Sequence, residues 1–576
     1  MEARKPTAIG IDFGTTSSCV AVWDSRSNSV EVLPNEHGQK TTPSTVAFTE
    51  SHRLVGVTAD MEEELSRDSS STIIWDVKRL LGRRFNEVQE DVKFPPKLVA
   101  GLGGVPLVAL KHTGVQFSLE EISAMVLHKM YQIGKDYLGA QGKNVIITVP
   151  THFNDMQRKA TRDAATIAGL NVLQIVNEST AAAIAYAHSK KVSSSDQINL
   201  MVFNLGGGSF DVSIIKIENG NFKVEATAGD DLGATDFDGR LVDFLLKELI
   251  KDQKKDISGN PGALRRLQVA CEKAKRTLSS TDAVTIVIDD LYEGVGFRKT
   301  ITRAIFDQLN MELYQKLMEL VNICFKDAHM DHSHVSDVVL IGDGSKNQCL
   351  RGLLQYYLQG TEICETLINS KEAVAYGAAL IGAQSSGIDI GELQVVLCRQ
   401  ITTMPLSLEL GKSKKQREMV FERKTAYPTM KQLTYTWPRK WHQDKISPWL
   451  VYEGSDHLLG EFQLEAIPKN ISQIIITYSL DQNGILNVTA EGTSEHSGTK
   501  RMLLVNCSKR GLNGDIVSMM AAKLAREEQL KHAGGSNVEV QSFEDQKERH
   551  KVVKVSRVSN KVQMKLGTAC KPSWFQ

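Results

Sequence analysis

The segment Ile9-Gly10-Ile11-Asp12-Phe13-Gly14-Thr15-Thr16 narrows the choice of fold more than any other. A short apolar run stops at a carboxylate, and a glycine turn with small hydroxyl residues follows. The same order returns 192 residues later, in Val202-Phe203-Asn204-Leu205-Gly206-Gly207-Gly208-Ser209. Glycines let backbone N–H groups approach an anion and form a nest for phosphate oxygens. Thr15, Thr16 and Ser209 can add hydroxyl donors. A carboxylate at a strand end, Asp12 or Asp211, suits a hydrated Mg2+. One Asp-x-Gly-Thr is an ordinary turn. Two at matching strand ends point to two similar halves facing one cleft.

The rest of the chain agrees with a globular α/β protein. Its 576 residues leave room for about four compact units. With 41% hydrophobic and 24% charged residues, the bulk is neither disordered nor coiled coil. Lys+Arg and Asp+Glu each number 68, so no net field calls for nucleic acid or membrane. No apolar run approaches the ~20 residues that cross a bilayer. The polar start, Met1 to Lys5, runs directly into the first strand and does not read as a signal peptide. The eight cysteines form no Cys-x-x-Cys pair. They read as reduced thiols of the cytoplasm, with the nucleus as the alternative.

Strand-like and helical runs alternate over 1–385, the pattern of α/β layers. Asn144 to Pro150 reads as a buried strand, and Asp155 to Ala168 as the helix after it. A small, polar spacer follows at Gln384-Ser385-Ser386-Gly387, giving a linker over 386–402. Over 403–511 the pattern becomes β, with Asn483-Gly484 between two β-prone runs as a hairpin signal. Asp515 to His532 has helical composition and makes a short lid over 512–533. In the tail, 534–576, eight Lys/Arg stand against one acid between 546 and 571; it reads as a solvated, disordered end.

Long motifs carry a resemblance to a known family. They are Ile9 to Ala21, Asp76 to Arg83, Val145 to Tyr186, Cys271 to Ser280 and Glu372 to Ala379. With them the chain closely resembles the heat-shock 70 kDa chaperones over roughly 6–530. The resemblance implies a duplicated, ribonuclease-H-like (actin-like) ATPase domain, then an all-β sandwich for peptide binding, then a helical lid. It implies ATP/ADP and Mg2+ as cofactors, with K+ as a further candidate. By resemblance, Gly14, Thr15, Thr16 and Ser17, with Gly206, Gly207, Gly208 and Ser209, are the two phosphate loops. Lys78 matches the lysine at the γ-phosphate; alone it would read as a solvated helix residue. Glu178 and Pro150 match the pair that couples nucleotide to the peptide domain. Glu272, Lys275, Arg276 and Ser279, on one helix face, match the adenosine side. Gly342, Asp343 and Lys346 stand in the position of the family's second nucleoside loop.

The departures are equally specific. Asn204 stands where the family has an aspartate, and an amide accepts no proton. A general base is worth ~10²–10⁴ in rate, so Asn204 predicts slow hydrolysis with phosphate binding less affected. Ser179 replaces a proline, Asp343 a glycine and Lys346 an arginine; the last loses a planar stacking group. Ala234-Thr235 and Ser370-Lys371 replace Gly-Glu and Pro-Asp. The linker, Gly391 to Arg399, lacks the family's closing acid. In the β part, Lys412 to Lys415 is basic, and Trp437, Trp441 and Trp449 line a groove or pack in the core. The acidic C-terminal tetrapeptide is absent, so helpers that read it are not expected.

Two readings result. One is an ATP-binding chaperone that holds extended apolar segments of unfolded proteins in strand-like fashion, with slowed hydrolysis. J-domain co-chaperones and nucleotide-exchange factors are its candidate partners. The other is a hydrolysis-deficient regulatory relative that holds clients or other chaperones without cycling.

Overall fold

The computed structural model describes residues 7–532 with short breaks, the longest being 89–96, 391–396, 411–416 and 437–448. The first of two mixed sheets runs, in space, Asn171–Asn177, Asn144–Val149, Ile9–Asp12, Ser17–Asp24, Ser29–Val32. The second runs Ile363–Cys364, Asp337–Ile341, Gln197–Leu205, Phe210–Glu218, Asn221–Asp230. Counted from its own first strand, each follows the order 5-4-1-2-3. In both, the first strand is parallel to the fourth and antiparallel to the second. Asp12 ends the first strand of one half, and Asn204 sits at the corresponding end of the other. The repeat legible in the sequence is thus a repeat in topology.

Parallel strands buried on both faces need continuous apolar runs. Val145 to Ile147 and Leu200 to Phe203 supply them, all fully buried. Helices Glu178–Lys190 and Ala373–Ser385 follow the fifth strand of each half and share one apolar core. Their small residues, Ala181 to Ala187 and Ala373 to Ala383, allow close approach. A Cβ on Gly377 would run into the Ala181 carbonyl.

Two elements extend the second sheet. Leu397–Ile401, within the expected linker, is a strand parallel to Asn221–Asp230. Its other edge pairs with Ala426–Tyr427. An eight-stranded antiparallel unit then runs from Leu406–Leu410 to Lys500–Ser508. The expected hairpin is present: Ile471–Leu480 pairs with Leu486–Ser494, and Gly484 takes the left-handed φ of +73°. Trp449 is buried and stacks on Tyr435 at 6.0 Å. Trp437, Trp441, the basic segment 412–415 and the tail lie outside the described residues.

The β unit rests on the α/β part through hydrogen bonds. The hairpin tip supplies Asn483 Oδ1, which accepts from Ile175 N at 2.8 Å. Asp155 Oδ1 accepts from Leu486 N at 2.6 Å. Helix Gly514–His532 buries Val517, Met520 and Leu524 in the first half's core. Below it, Lys159 donates to the Leu512 carbonyl and to Asp163.

Two substitutions test this packing. Gly377→Ala should lower stability by about 3 kcal/mol, the upper range for overpacking, read by urea denaturation. Burial, aided by nearby Asp163, pushes the Glu120 carboxyl up to about 7. The folded chain therefore holds a proton there that the unfolded chain releases from about pH 4.5. Stability should fall as pH rises from 5 to 8, by up to roughly 3 kcal/mol from this group. Glu120→Gln should remove that part of the slope.

Candidate functional site: a two-lobed phosphate cleft

Between the two halves lies a cleft of about 1030 Å³. Lys78 and Glu178 meet on its floor. Lys78 sits in a single helical turn, Val77–Leu80, entered through Asp76 in the left-handed conformation. Its Nζ is 2.7 Å from Glu178 Oε1, and the side chains are 2% and 9% exposed. Rings of Phe13 and Phe153 lie 5.7 Å from the ammonium. Asn204 Nδ2 donates to the other oxygen, Glu178 Oε2, at 2.7 Å. An aspartate at 204 has no N–H to give and would face Glu178 with like charge. The amide turns that repulsion into a bond, and both oxygens of Glu178 are engaged.

Asp12 borders the cleft, and Asp211 pairs with Asn204 on the adjoining strand. Asp12 accepts from Thr148 Oγ1 at 2.9 Å. Burial, reinforced by Glu178, raises its carboxyl to about 7 despite nearby Lys78. Asp211 is fully buried. Its Oδ1 accepts from the Thr151 and His152 amides, while Oδ2 has no partner among the described residues. His152 lies between two acids, with Nδ1 2.8 Å from Asp211 and Nε2 3.1 Å from Asp231. Burial alone would lower its pKa, but the two carboxylates, Asp211 foremost, outweigh it and hold it at about 10. An orphaned carboxylate oxygen and a costly buried acid fit a hydrated divalent cation. Among the described residues no cluster of three or more His, Cys, Asp or Glu could hold a metal unaided. Mg2+ suits such a place, since it keeps waters and shares ligand phosphates.

Three glycines of the loops, Gly14, Gly207 and Gly208, leave no room for a side chain. A Cβ on Gly207 would strike Thr16, and one on Gly208 would strike Thr15 and Arg79. Arg79 crosses between lobes, donating to Asp236 at 3.1 Å, to Thr235 Oγ1 at 3.1 Å and to the Asp231 carbonyl at 2.7 Å. Gly14, Thr15, Thr16, Ser17, Gly206, Gly207 and Ser209 all line the cleft. Gly208 lies between the last two and is buried.

A family model described as Hsp70 protein matches residues 8–570. The chain is 42% identical to the heat shock 70 kDa protein of Neurospora crassa over 530 residues, 89% of this chain and 80% of that one. It is 41% identical to heat shock cognate 70 kDa protein 3 of Dictyostelium discoideum, covering 89% and 82%. It is 40% identical to a ribosome-associated molecular chaperone of Zygosaccharomyces rouxii, covering 89% and 84%. The chain belongs to the Hsp70 family of chaperones. That family implies nucleotide binding, generally with Mg2+, and binding of unfolded clients and co-chaperones.

In this Hsp70 the far end of the cleft is charged and internally paired. Glu272 meets Arg276 at 2.6 Å, and Lys275 meets Asp238 at 2.5 Å. Ser279 Oγ donates to the Arg276 carbonyl. Asp343, beside Gly342, is bridged by Lys346 at 3.3 Å and by Lys371. Those lysines hold its carboxyl below the usual range against the opposing effect of burial. The expected residues therefore border one cleft apart from Gly208, Asp211 and Pro150. His152, Arg79, Thr148 and Asp231 were not expected. Arg79 lies within the Asp76–Arg83 motif and His152 two residues past Pro150, but their partners are distant in sequence.

Removing one member of the buried ion pair strands the other. Glu178→Ala should cost about 3–5 kcal/mol. The double substitution Lys78→Met with Glu178→Met should recover most of it. Urea unfolding of the three variants decides whether the pair is held as described.

Proposed function

We propose that this Hsp70 binds Mg-ATP and Mg-ADP in the two-lobed cleft, holds client segments on its β unit, and hydrolyses ATP slowly. The carrying observation is the Asn204 amide bonded to Glu178 where the family places an acid. In this reading Gly14 to Ser17 and Gly206 to Ser209 cradle phosphates by backbone N–H groups. Asp12 and Asp211 hold the hydrated Mg2+, whose charge would offset that of the phosphates. Lys78 neutralises the terminal phosphate. Glu272, Lys275, Arg276 and Ser279 take the ribose and base, facing Gly342, Asp343 and Lys346. Bound Mg2+ supplies electrostatic stabilisation of the transferred group. The residues bind and orient, while the general-base arrangement lacks its acid.

The layout follows the same reading. An actin-like ATPase domain spans 1–385, joined through 386–402 to a β-sandwich over 403–511. A short lid covers 512–533, and 534–576 is a basic tail. Pro150 and Glu178 form the switch. No described helix is long and apolar enough to cross a membrane; we place the protein in the cytoplasm, working with J-domain and exchange partners.

Asn204 also favours the second reading, a holder that binds nucleotide without turnover. Single-turnover hydrolysis of Mg-ATP separates the two. Asn204→Asp should raise the rate by ~10²-fold or more with the dissociation constant little changed. An unchanged rate would mean that the amide is not the lesion.

A further inference from the structure

His152 lies just past the strand Asn144–Val149 of the first sheet, yet both partners of its ring belong to the second. Asp211 is in the strand Phe210–Glu218, and Asp231 directly follows the strand Asn221–Asp230. Nδ1 is 2.8 Å from Asp211 Oδ1, and Nε2 is 3.1 Å from Asp231 Oδ1. Ionised carboxylates only accept, so each ring nitrogen donates. The backbone adds to the hold. The amides of Thr151 and His152 donate to the same Asp211 oxygen at 3.1 and 3.3 Å. Three donors from one loop of the first half thus converge on one oxygen of the second.

The space around the ring is closed. Gly229 is the cross-strand partner of Asp211, and a Cβ there would run into Asp211 Oδ1 and His152 Nδ1. Phe153 stands edge-on to the imidazole at 6.0 Å. Seated in this way, the ring fixes how the Asp211 carboxylate is turned. What remains of that carboxylate is Oδ2, buried and without a partner among the described residues. A buried oxygen left unpaired is costly. Asp211 is also in register with Asn204, which lines the cleft. A cation at this place needs Oδ2 presented to it, and that presentation depends on what holds Oδ1.

We propose that His152 is a positioning residue for the divalent cation: its Nδ1 anchors Asp211 Oδ1 from the opposite half and so presents Oδ2 as the metal-side oxygen. The bond from Nε2 to Asp231 steadies the ring and has no part in that presentation. The proposal rests on the reading in which Asp211 holds Mg2+ beside a bound nucleotide.

The test separates the two ring nitrogens. The amide nitrogen of an asparagine falls where Nδ1 lies, and that of a glutamine where Nε2 lies. ADP is titrated calorimetrically into the full chain with saturating Mg2+ and again in EDTA. The ratio of the two dissociation constants gives the metal's share of binding. General damage to the cleft weakens both titrations and leaves the ratio in place. His152→Gln should shrink the ratio by about tenfold, the lower end for loss of an outer contact to a metal ligand. His152→Asn should keep the wild-type ratio, although each variant gives up one ring bond. An undiminished ratio in His152→Gln, or equal losses in both variants, would overturn the proposal. If His152→Gln does not fold, imidazole 15N spectra of the wild type give a second reading. Mg2+ added to the ADP-bound chain should shift the His152 Nδ1 resonance, assigned by its absence from the His152→Asn spectrum; no shift would overturn the proposal. A wild type that binds ADP equally in Mg2+ and in EDTA overturns the cation reading, and the proposal with it. One that binds no ADP overturns the nucleotide reading itself, and the proposal falls with that too.

Discussion

The buried pairing of Lys78 with Glu178, closed by Asn204, is the constraint around which the cleft is organised. An ammonium and a carboxylate with almost no exposure are tolerable only when each is matched and their hydrogen bonds are satisfied. Meeting that condition requires three distant parts of the chain at one point: the turn at 77–80, the head of helix Glu178–Lys190, and the end of strand Gln197–Leu205. The second and third meet directly, through the hydrogen bond from Asn204 Nδ2 to Glu178 Oε2. Close packing of the two alanine-rich helices then fixes the separation of the halves.

The same corner connects the cleft to the β unit. Asn177, one residue before Glu178, meets Arg158 and Gln400, and these reach the hairpin tip at Asn483 and the strand at Tyr427. Here the connection consists of neutral amides and one guanidinium, a polar network whose members are worth more together than apart.

Much of this was legible in the sequence because it rests on local patterns. A strand, a turn and small residues at Asp12 and Asn204 announced the loops. Asn483-Gly484 announced the hairpin, since a tight turn needs a left-handed residue there. Helix Gly514–His532 followed from its composition. The interactions that arise from pairing remote segments were not legible. His152 reads as an ordinary loop residue until Asp211 and Asp231 enclose it. Gln400 reads as a linker residue until its strand joins Asn221–Asp230 and buries it. No periodicity encodes such contacts, which depend on sheet order and on register.

Calorimetric titration of Mg-ATP into the full chain, with phosphate release followed in the same sample, tests the central claim most directly. The account predicts saturable one-to-one binding with little or no phosphate released over the titration. Absence of binding heat would contradict it, and so would binding accompanied by rapid turnover, because the proposed function has the cleft hold nucleotide while Asn204 leaves it without the acid of a general base.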